Sequence, residues 1–180
     1  MTSWVFGYGS LMWNPEFTPA ETVGATLPGF TRSFCMWSIH HRGSVADPGL
    51  VLALDEAAGD QCQGVALRMP DTGTEAVLAA LRERELVSSA YREQVLPIWL
   101  DDGREVEALA YVVDPGHEQY CGGLPIEDQA RVIANAYGRR GANREYLWAT
   151  TEHLESLGIA DSDLTYLAQR VRRIVDKSLA

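Results

Sequence analysis

The apolar residues of this chain change their spacing once, and that change constrains the fold more than any other feature. Up to about residue 113 they fall mostly in short runs of period two, and beyond it they recur at period 3.6. Trp4-Val5-Phe6 is a short apolar run that leads straight into Gly7-Tyr8-Gly9-Ser10. Residues 30–39 alternate imperfectly and are rich in aromatic side chains, as strands are. Residues 50–54 and 63–69 read as two more strands, preceded by a loop over 40–49 that is punctuated by Gly43, Pro48 and Gly49. Residues 91–100 and 105–113 read as a hairpin around Asp101-Asp102-Gly103, because an Asp-Gly pair favours a tight turn.

A single helical pattern, residues 74–86, interrupts these strands. After the hairpin the helices follow one another. Pro125 suits the first turn of a helix that runs to about Tyr137, with Gly138 as its stop. Asn143 is placed to cap a second helix ending near Gly158. Asp161 is placed to cap a third, with Leu164, Leu167, Ala168, Val171, Ile174 and Val175 facing inward. The order predicts an α+β domain: a mostly antiparallel, barrel-like sheet with an embedded helix and C-terminal helices, residues 1–180 forming one domain. A doubly wound parallel sheet fits poorly, because strands and helices do not alternate.

The embedded helix carries the residue that points to chemistry. Val77, Leu78 and Leu81 mark its apolar stripe at the i, i+3, i+4 spacing, and Glu85 extends that stripe by one further step. Glu83 points to the opposite side. One carboxylate is therefore solvated and the other heads inward, where loss of water raises its pKa toward the range of a general base. The same spacing also fits a Glu85 that frays at the helix end or pairs with a buried arginine.

Composition narrows the function classes. A chain of 180 residues with 46% hydrophobic residues supports a sizeable core without disulfide or metal staples. A net charge of −10 argues against the basic footprint of a nucleic-acid binder and against attraction to an anionic membrane surface. Cys35, Cys62 and Cys121 are odd in number and widely spaced, with no CxxC pair, and read as thiols in a reducing compartment. The chain begins with no basic segment followed by an apolar run, and no stretch approaches 18 apolar residues, so a cytoplasmic location is expected. His40, His41, His117 and His153 lack metal-ligand spacing, and no metal site is expected.

Gly7-Tyr8-Gly9-Ser10-Leu11 follows the first strand. Glycines two residues apart let the backbone turn sharply and bring successive N–H groups toward an anion, either a carboxylate or a developing oxyanion. The third glycine of a dinucleotide fingerprint is absent, and Gly-Ser-Leu-Met is not the Gly-x-Ser-x-Gly elbow of a serine hydrolase.

At this point the residues resemble a known family. Val5-Phe6-Gly7-Tyr8-Gly9-Ser10-Leu11-Met12-Trp13 looks like the opening motif of the ChaC family of γ-glutamylcyclotransferases. The likeness continues in order through His41-Arg42-Gly43, Pro48-Gly49, Arg84-Glu85, Tyr91-Arg92, Tyr120-Cys121-Gly122-Gly123-Leu124 and Asn143-Arg144-Glu145-Tyr146-Leu147. Residues 86–90 read Leu-Val-Ser-Ser-Ala where many relatives carry a glycine pair, and His40 stands where relatives often have an acidic residue. The resemblance implies a γ-glutamylcyclotransferase-like fold and an enzyme that splits glutathione into 5-oxoproline and cysteinylglycine without a cofactor. It places the catalytic glutamate at Glu85 and the substrate loop at Val5, Phe6, Gly7, Tyr8, Gly9, Ser10 and Leu11. Arg42 and Tyr146 are expected as further substrate contacts, although the same positions also fit a solvated loop charge at Arg42 and a packed helix residue at Tyr146, and Arg84 is expected as a structural partner.

Overall fold

The structure is a computed structural model and describes residues 2–180. Its contacts gather into two compact units. The first holds the residues up to Ser33 together with Ala53–Glu118, and the second holds Phe34–Leu52 together with Gln119–Ala180.

Five strands close into a barrel in the order β1-β3-β2-β4-β5: β1 (Trp4–Gly7), β2 (Glu21–Ser38), β3 (Gly49–Arg68), β4 (Tyr91–Leu100) and β5 (Glu105–Val113). β1 runs antiparallel to β3, with Trp4 opposite Arg68, and parallel to β5, with Trp4 opposite Ala108. The β4–β5 hairpin has the bounds expected from its Asp-Gly turn, and Gly103 adopts φ 91° there. The barrel expected from the alternating pattern is therefore present.

Two strands are longer than expected. The predicted strands 50–54 and 63–69 are one strand, β3. Between them Glu56, Gly59, Asp60 and Gln61 are exposed, so that stretch has no apolar face to mark it. β2 begins at Glu21 rather than at residue 30. Gly24, Pro28 and Gly29 read as breakers, yet Ala25 and Leu27 alternate into the core, and Gly29 is accommodated at φ 82°. The barrel interior is filled by Trp4, Phe6, Leu27, Phe30, Leu54, Ile98, Leu100 and Val112 among others.

The embedded helix α1 (Thr74–Glu85) follows β3. Its Leu78 and Leu81 are buried in a second cluster with Val5, Leu11, Met69, Leu109 and Tyr111. Full burial of a leucine side chain contributes roughly 1.5–3 kcal/mol. The packing thus fixes the end of α1 against β1 and the segment after it.

The second unit carries three helices, α2 (Ile126–Asn135), α3 (Asn143–Ser156) and α4 (Ser162–Ser178), and a two-stranded ribbon of β6 (Tyr137–Gly138) and β7 (Gly141–Ala142). Two expectations are corrected here. Pro125 is the N-cap of α2 rather than part of its first turn, and the helix stops at Asn135, because Ala136 is extended and Gly138 belongs to the ribbon. Asn143 does not cap α3 but is its first residue, and its buried amide accepts from Leu50 N–H and donates to Leu50 C=O, both at 2.8 Å. Gly49 makes room for this clamp, since a Cβ there would press on Asn143 Oδ1 and overlap the Arg42 carbonyl. Asp161 does cap α4, accepting from Leu164 N–H at 3.1 Å. Leu164, Leu167, Ala168 and Val171 are buried on α4, while Ile174 and Val175 are half-buried. No helix among the described residues is long and apolar enough to cross a membrane.

Candidate active site

β1 delivers the glycine segment. The chain leaves β1 at Gly7 and turns through a 3-10 turn, Ser10–Met12, closed by Met12 N–H to Gly9 C=O at 2.9 Å and Asn14 N–H to Ser10 C=O at 2.7 Å. These bonds leave the N–H groups of Gly9, Ser10 and Leu11 outside the turn's ladder. Val5 and Phe6 are buried and anchor the segment, and Leu11 is buried in the cluster beneath α1. A Cβ on Gly64 of β3 would overlap the Gly7 carbonyl oxygen, so the close approach there requires glycine.

Arg32 of β2 secures the same segment and was missed by the sequence reading. It is 9% exposed, and it donates from Nε to the Tyr8 carbonyl at 2.7 Å and from Nη2 to the Gln63 carbonyl at 2.6 Å. The usable signal was an arginine placed inside an alternating aromatic strand.

Glu85 is the last residue of α1, and its side chain is 19% exposed, whereas Glu83 is exposed. Burial pushes its carboxyl above the ordinary carboxylate range. The Arg84 guanidinium works against that shift, and the Glu16 carboxylate adds to it. Arg84 Nε lies 3.3 Å from Glu85 Oε1, Nη2 donates to Ser10 Oγ at 2.7 Å, and Nη1 donates to the Asn14 carbonyl at 2.7 Å. Glu16 Oε2 is 3.7 Å from Arg84 Nη1. The barrel unit therefore gathers Glu85, Arg84, Ser10 and Glu16. A cavity of about 190 Å³ opens beside Arg84 and Glu16, walled by Phe17, Val77, Ala80 and Leu81, and neither Glu85 nor Ser10 lines it. It is smaller than the roughly 300–1,000 Å³ of small-molecule sites.

Arg42 and Tyr146 belong to the second unit. Arg42 is not a solvated loop charge. It is half-buried, stacks over the Tyr146 ring at 5.5 Å and donates to the Ala142 carbonyl at 3.2 Å. Tyr146 also meets Phe34 edge-on at 6.1 Å, and its hydroxyl accepts from Leu52 N–H at 3.3 Å. A cavity of about 420 Å³ in this unit is lined by Trp37, Ser44, Asp47, Pro48, Val132 and Tyr137 among others, and none of the expected site residues lines it. The cysteines are unbridged. Among the described residues no three His, Cys, Asp or Glu side chains gather as a metal site.

This arrangement can be compared with known proteins. The chain is 39% identical to a glutathione-specific gamma-glutamylcyclotransferase of Escherichia coli strain K12, over 96% of this chain and 74% of that protein. It is 35% identical to gamma-glutamylcyclotransferase 2-3 of Arabidopsis thaliana, over 99% of this chain and 92% of that one. It is 32% identical to glutathione-specific gamma-glutamylcyclotransferase 1 of Homo sapiens, over 86% and 71%. A crystal structure of a gamma-glutamyl cyclotransferase specific to glutathione from yeast superposes with a TM-score of 0.82 at 24% identity, covering 96% of this chain and 98% of that one, which shows a shared fold. Residues 3–174 match the sequence profile of ChaC-like proteins, and with these relatives along nearly its whole length the chain belongs to the ChaC-like family.

Proposed function

We propose that this protein degrades glutathione by γ-glutamyl cyclotransfer, releasing 5-oxoproline and cysteinylglycine, with Glu85 as the general base. The observation that carries the reading is the half-buried Glu85 carboxylate at the end of α1, beside the turn that follows the two glycines. The names of the Escherichia coli and human relatives supply the substrate class.

The reaction is an internal aminolysis. Glu85, ionised, takes the proton from the glutamyl α-amino group, which attacks the γ-carbonyl carbon and closes a five-membered lactam. The γ-amide C–N bond breaks, and the proton passes from Glu85 to the leaving cysteinyl nitrogen. No water enters the chemical step. A carboxyl held above its ordinary range by burial is a stronger base than a solvated one.

Much of the barrier is geometric. The substrate must be bent so that its amine meets its own carbonyl, and well-oriented intramolecular attack is worth roughly 7–11 kcal/mol. The segment Val5, Phe6, Gly7, Tyr8, Gly9, Ser10 and Leu11 supplies that orientation, with the N–H groups left over by the 3-10 turn as donors to negative charge on the substrate. Arg42 and Tyr146, stacked on each other in the second unit, are proposed as further substrate contacts.

The test is incubation with reduced glutathione and joint assay of 5-oxoproline and cysteinylglycine, for the wild type and Glu85→Gln. Equal release of both products by the wild type, and a loss on the order of 10²–10⁴-fold in the variant, is expected. Free glutamate in place of 5-oxoproline would indicate a hydrolase. Turnover of other γ-glutamyl donors without glutathione would remove the substrate assignment but keep the chemistry. A folded Glu85→Gln protein with near wild-type release would remove the mechanism.

A further inference from the structure

One guanidinium joins the glycine turn to the carboxylate. Arg84 reaches Ser10 Oγ and the Asn14 carbonyl, each at 2.7 Å, and so spans the 3-10 turn and the residues just after it. The same group lies 3.3 Å from Glu85 Oε1 and 3.7 Å from Glu16 Oε2, so two carboxylates share one cation. Glu16 is further marked by its backbone, the one non-glycine with positive φ, 64°, among the described residues. A left-handed conformation at such a residue is held only where its surroundings fix it.

We propose that Arg84 is a positioning residue for the cyclotransfer and Glu16 its counterweight: the guanidinium locks the substrate turn to the base, engages Oε1 and leaves Oε2 as the oxygen that takes the proton. The proposal rests on Glu85 being the base. It goes further in assigning the orientation of the carboxylate to Arg84, and the tuning of its ionisation, on top of burial, to a balance between two named neighbours.

The charged and titratable groups around Glu85 are few. Arg84 comes from its own helix, Glu16 from the segment between the 3-10 turn and β2, and Tyr111 from β5. Tyr111 is bonded to Glu93 of β4, which is paired with Arg82. Burial, together with the Glu93 and Glu85 charges, pushes the Tyr111 phenol far above its usual range, so it stays neutral through the working pH. The two groups left to tune Glu85 act in opposite directions. Arg84 stabilises the ionised form, and Glu16 opposes it directly and by drawing on the same cation.

The experiment is the pH dependence of kcat and KM with reduced glutathione for the wild type, Arg84→Gln, Arg84→Lys, Glu16→Gln and Glu85→Gln. Loss of the Arg84 charge moves the acid limb of kcat/KM up by about one pH unit. In that variant the plateau kcat falls about 10–100-fold, by more than KM changes, because the base is no longer aimed. Arg84→Lys keeps the limb within a few tenths of a unit of the wild type and recovers part of kcat, since it restores the charge without the fork. Glu16→Gln moves the limb the other way, by roughly a few tenths of a unit. Glu16 is 58% exposed, so this variant remains informative even where Arg84→Gln does not fold. An acid limb that stays in place in Glu16→Gln, or that moves in the same direction in both charge-removing variants, overturns the proposal. If Glu85→Gln destroys turnover while the limbs stay put, only this proposal fails; if Glu85→Gln retains turnover, the functional reading fails first.

Discussion

Arg82 and Arg84 leave α1 two residues apart, and each meets a glutamate. The outcomes are opposite. Around Arg82 the contact is two-pronged: Nε donates to Glu93 Oε2 at 3.0 Å, Nη2 donates to Oε1 at 2.9 Å, and the Tyr111 hydroxyl adds a bond to Oε2 at 3.1 Å. These bonds hold the Glu93 carboxyl below the ordinary range, against the effect of partial burial. Around Arg84 the guanidinium spends its bonds on Ser10 and Asn14 and gives Glu85 a single approach at 3.3 Å. There burial wins and the pKa rises. Two arginines of one helix thus face two carboxylates, Glu93 of β4 held in its charged form and Glu85 of α1 left able to exchange a proton. What decides is how deeply each carboxylate is buried and where the arginine's donors go, not whether an arginine is nearby.

The comparison breaks most visibly in turnover. Glu85→Gln should remove about 10²–10⁴-fold of activity, whereas Glu93→Gln should leave the chemical step largely intact, both measured by 5-oxoproline release. A third way of fixing a group, by neutral bonds, sharpens the contrast through stability. Asn143→Ala would leave Leu50 N–H and C=O buried without partners, at about 1–3 kcal/mol for each group. Denaturant unfolding should show that loss to be the same at pH 5 and pH 8, since no charge is involved. Glu93→Gln should cost about 1–2 kcal/mol at neutral pH, discounted because Arg82 is 52% exposed. A carboxyl whose folded pKa is depressed stabilises the fold above its unfolded pKa and loses that contribution as pH falls through the folded value. The cost of Glu93→Gln should therefore fade in acid.

The smallest effect has the opposite sign. A carboxyl whose folded pKa is raised favours the fold most below its unfolded pKa, and that advantage is lost as pH rises through the folded value. Glu85→Gln should therefore make the protein slightly more stable than the wild type at neutral pH, with the difference vanishing below about pH 4. A wild type that is more stable than Glu85→Gln at pH 7 would mean that Glu85 is a structural ion-pair partner like Glu93.

How much of this was legible in the sequence follows from the range of the interactions. The inward direction of Glu85 is a local matter, set by Leu81 four residues earlier, and periodicity gives it. The hairpin is equally local, because Asp102-Gly103 dictates the turn. The long strands β2 and β3 were only partly visible: their exposed or glycine-containing stretches carry no burial alternation, and pairing across the barrel is what extends them. Asn143 looked like a helix cap because caps are recognised by position in the chain. Its partner Leu50 is 93 residues away, and no local signal marks it. Arg84 shares this limit, since its bond to Ser10 spans 74 residues. Its adjacency to Glu85 was readable, but the division of its donors between the turn and the base was not.

The most direct test of the account is a carbon-13 NMR titration of the Glu85 carboxyl in the folded wild type, assigned by its disappearance in Glu85→Gln and set beside the acid limb of kcat/KM for reduced glutathione. The account predicts that Glu85 titrates above the ordinary glutamate value of about 4.3 and that the free enzyme's acid limb falls at the same pH. A Glu85 that titrates at or below that value, or an acid limb that does not track it, would contradict the assignment of this carboxylate as the base.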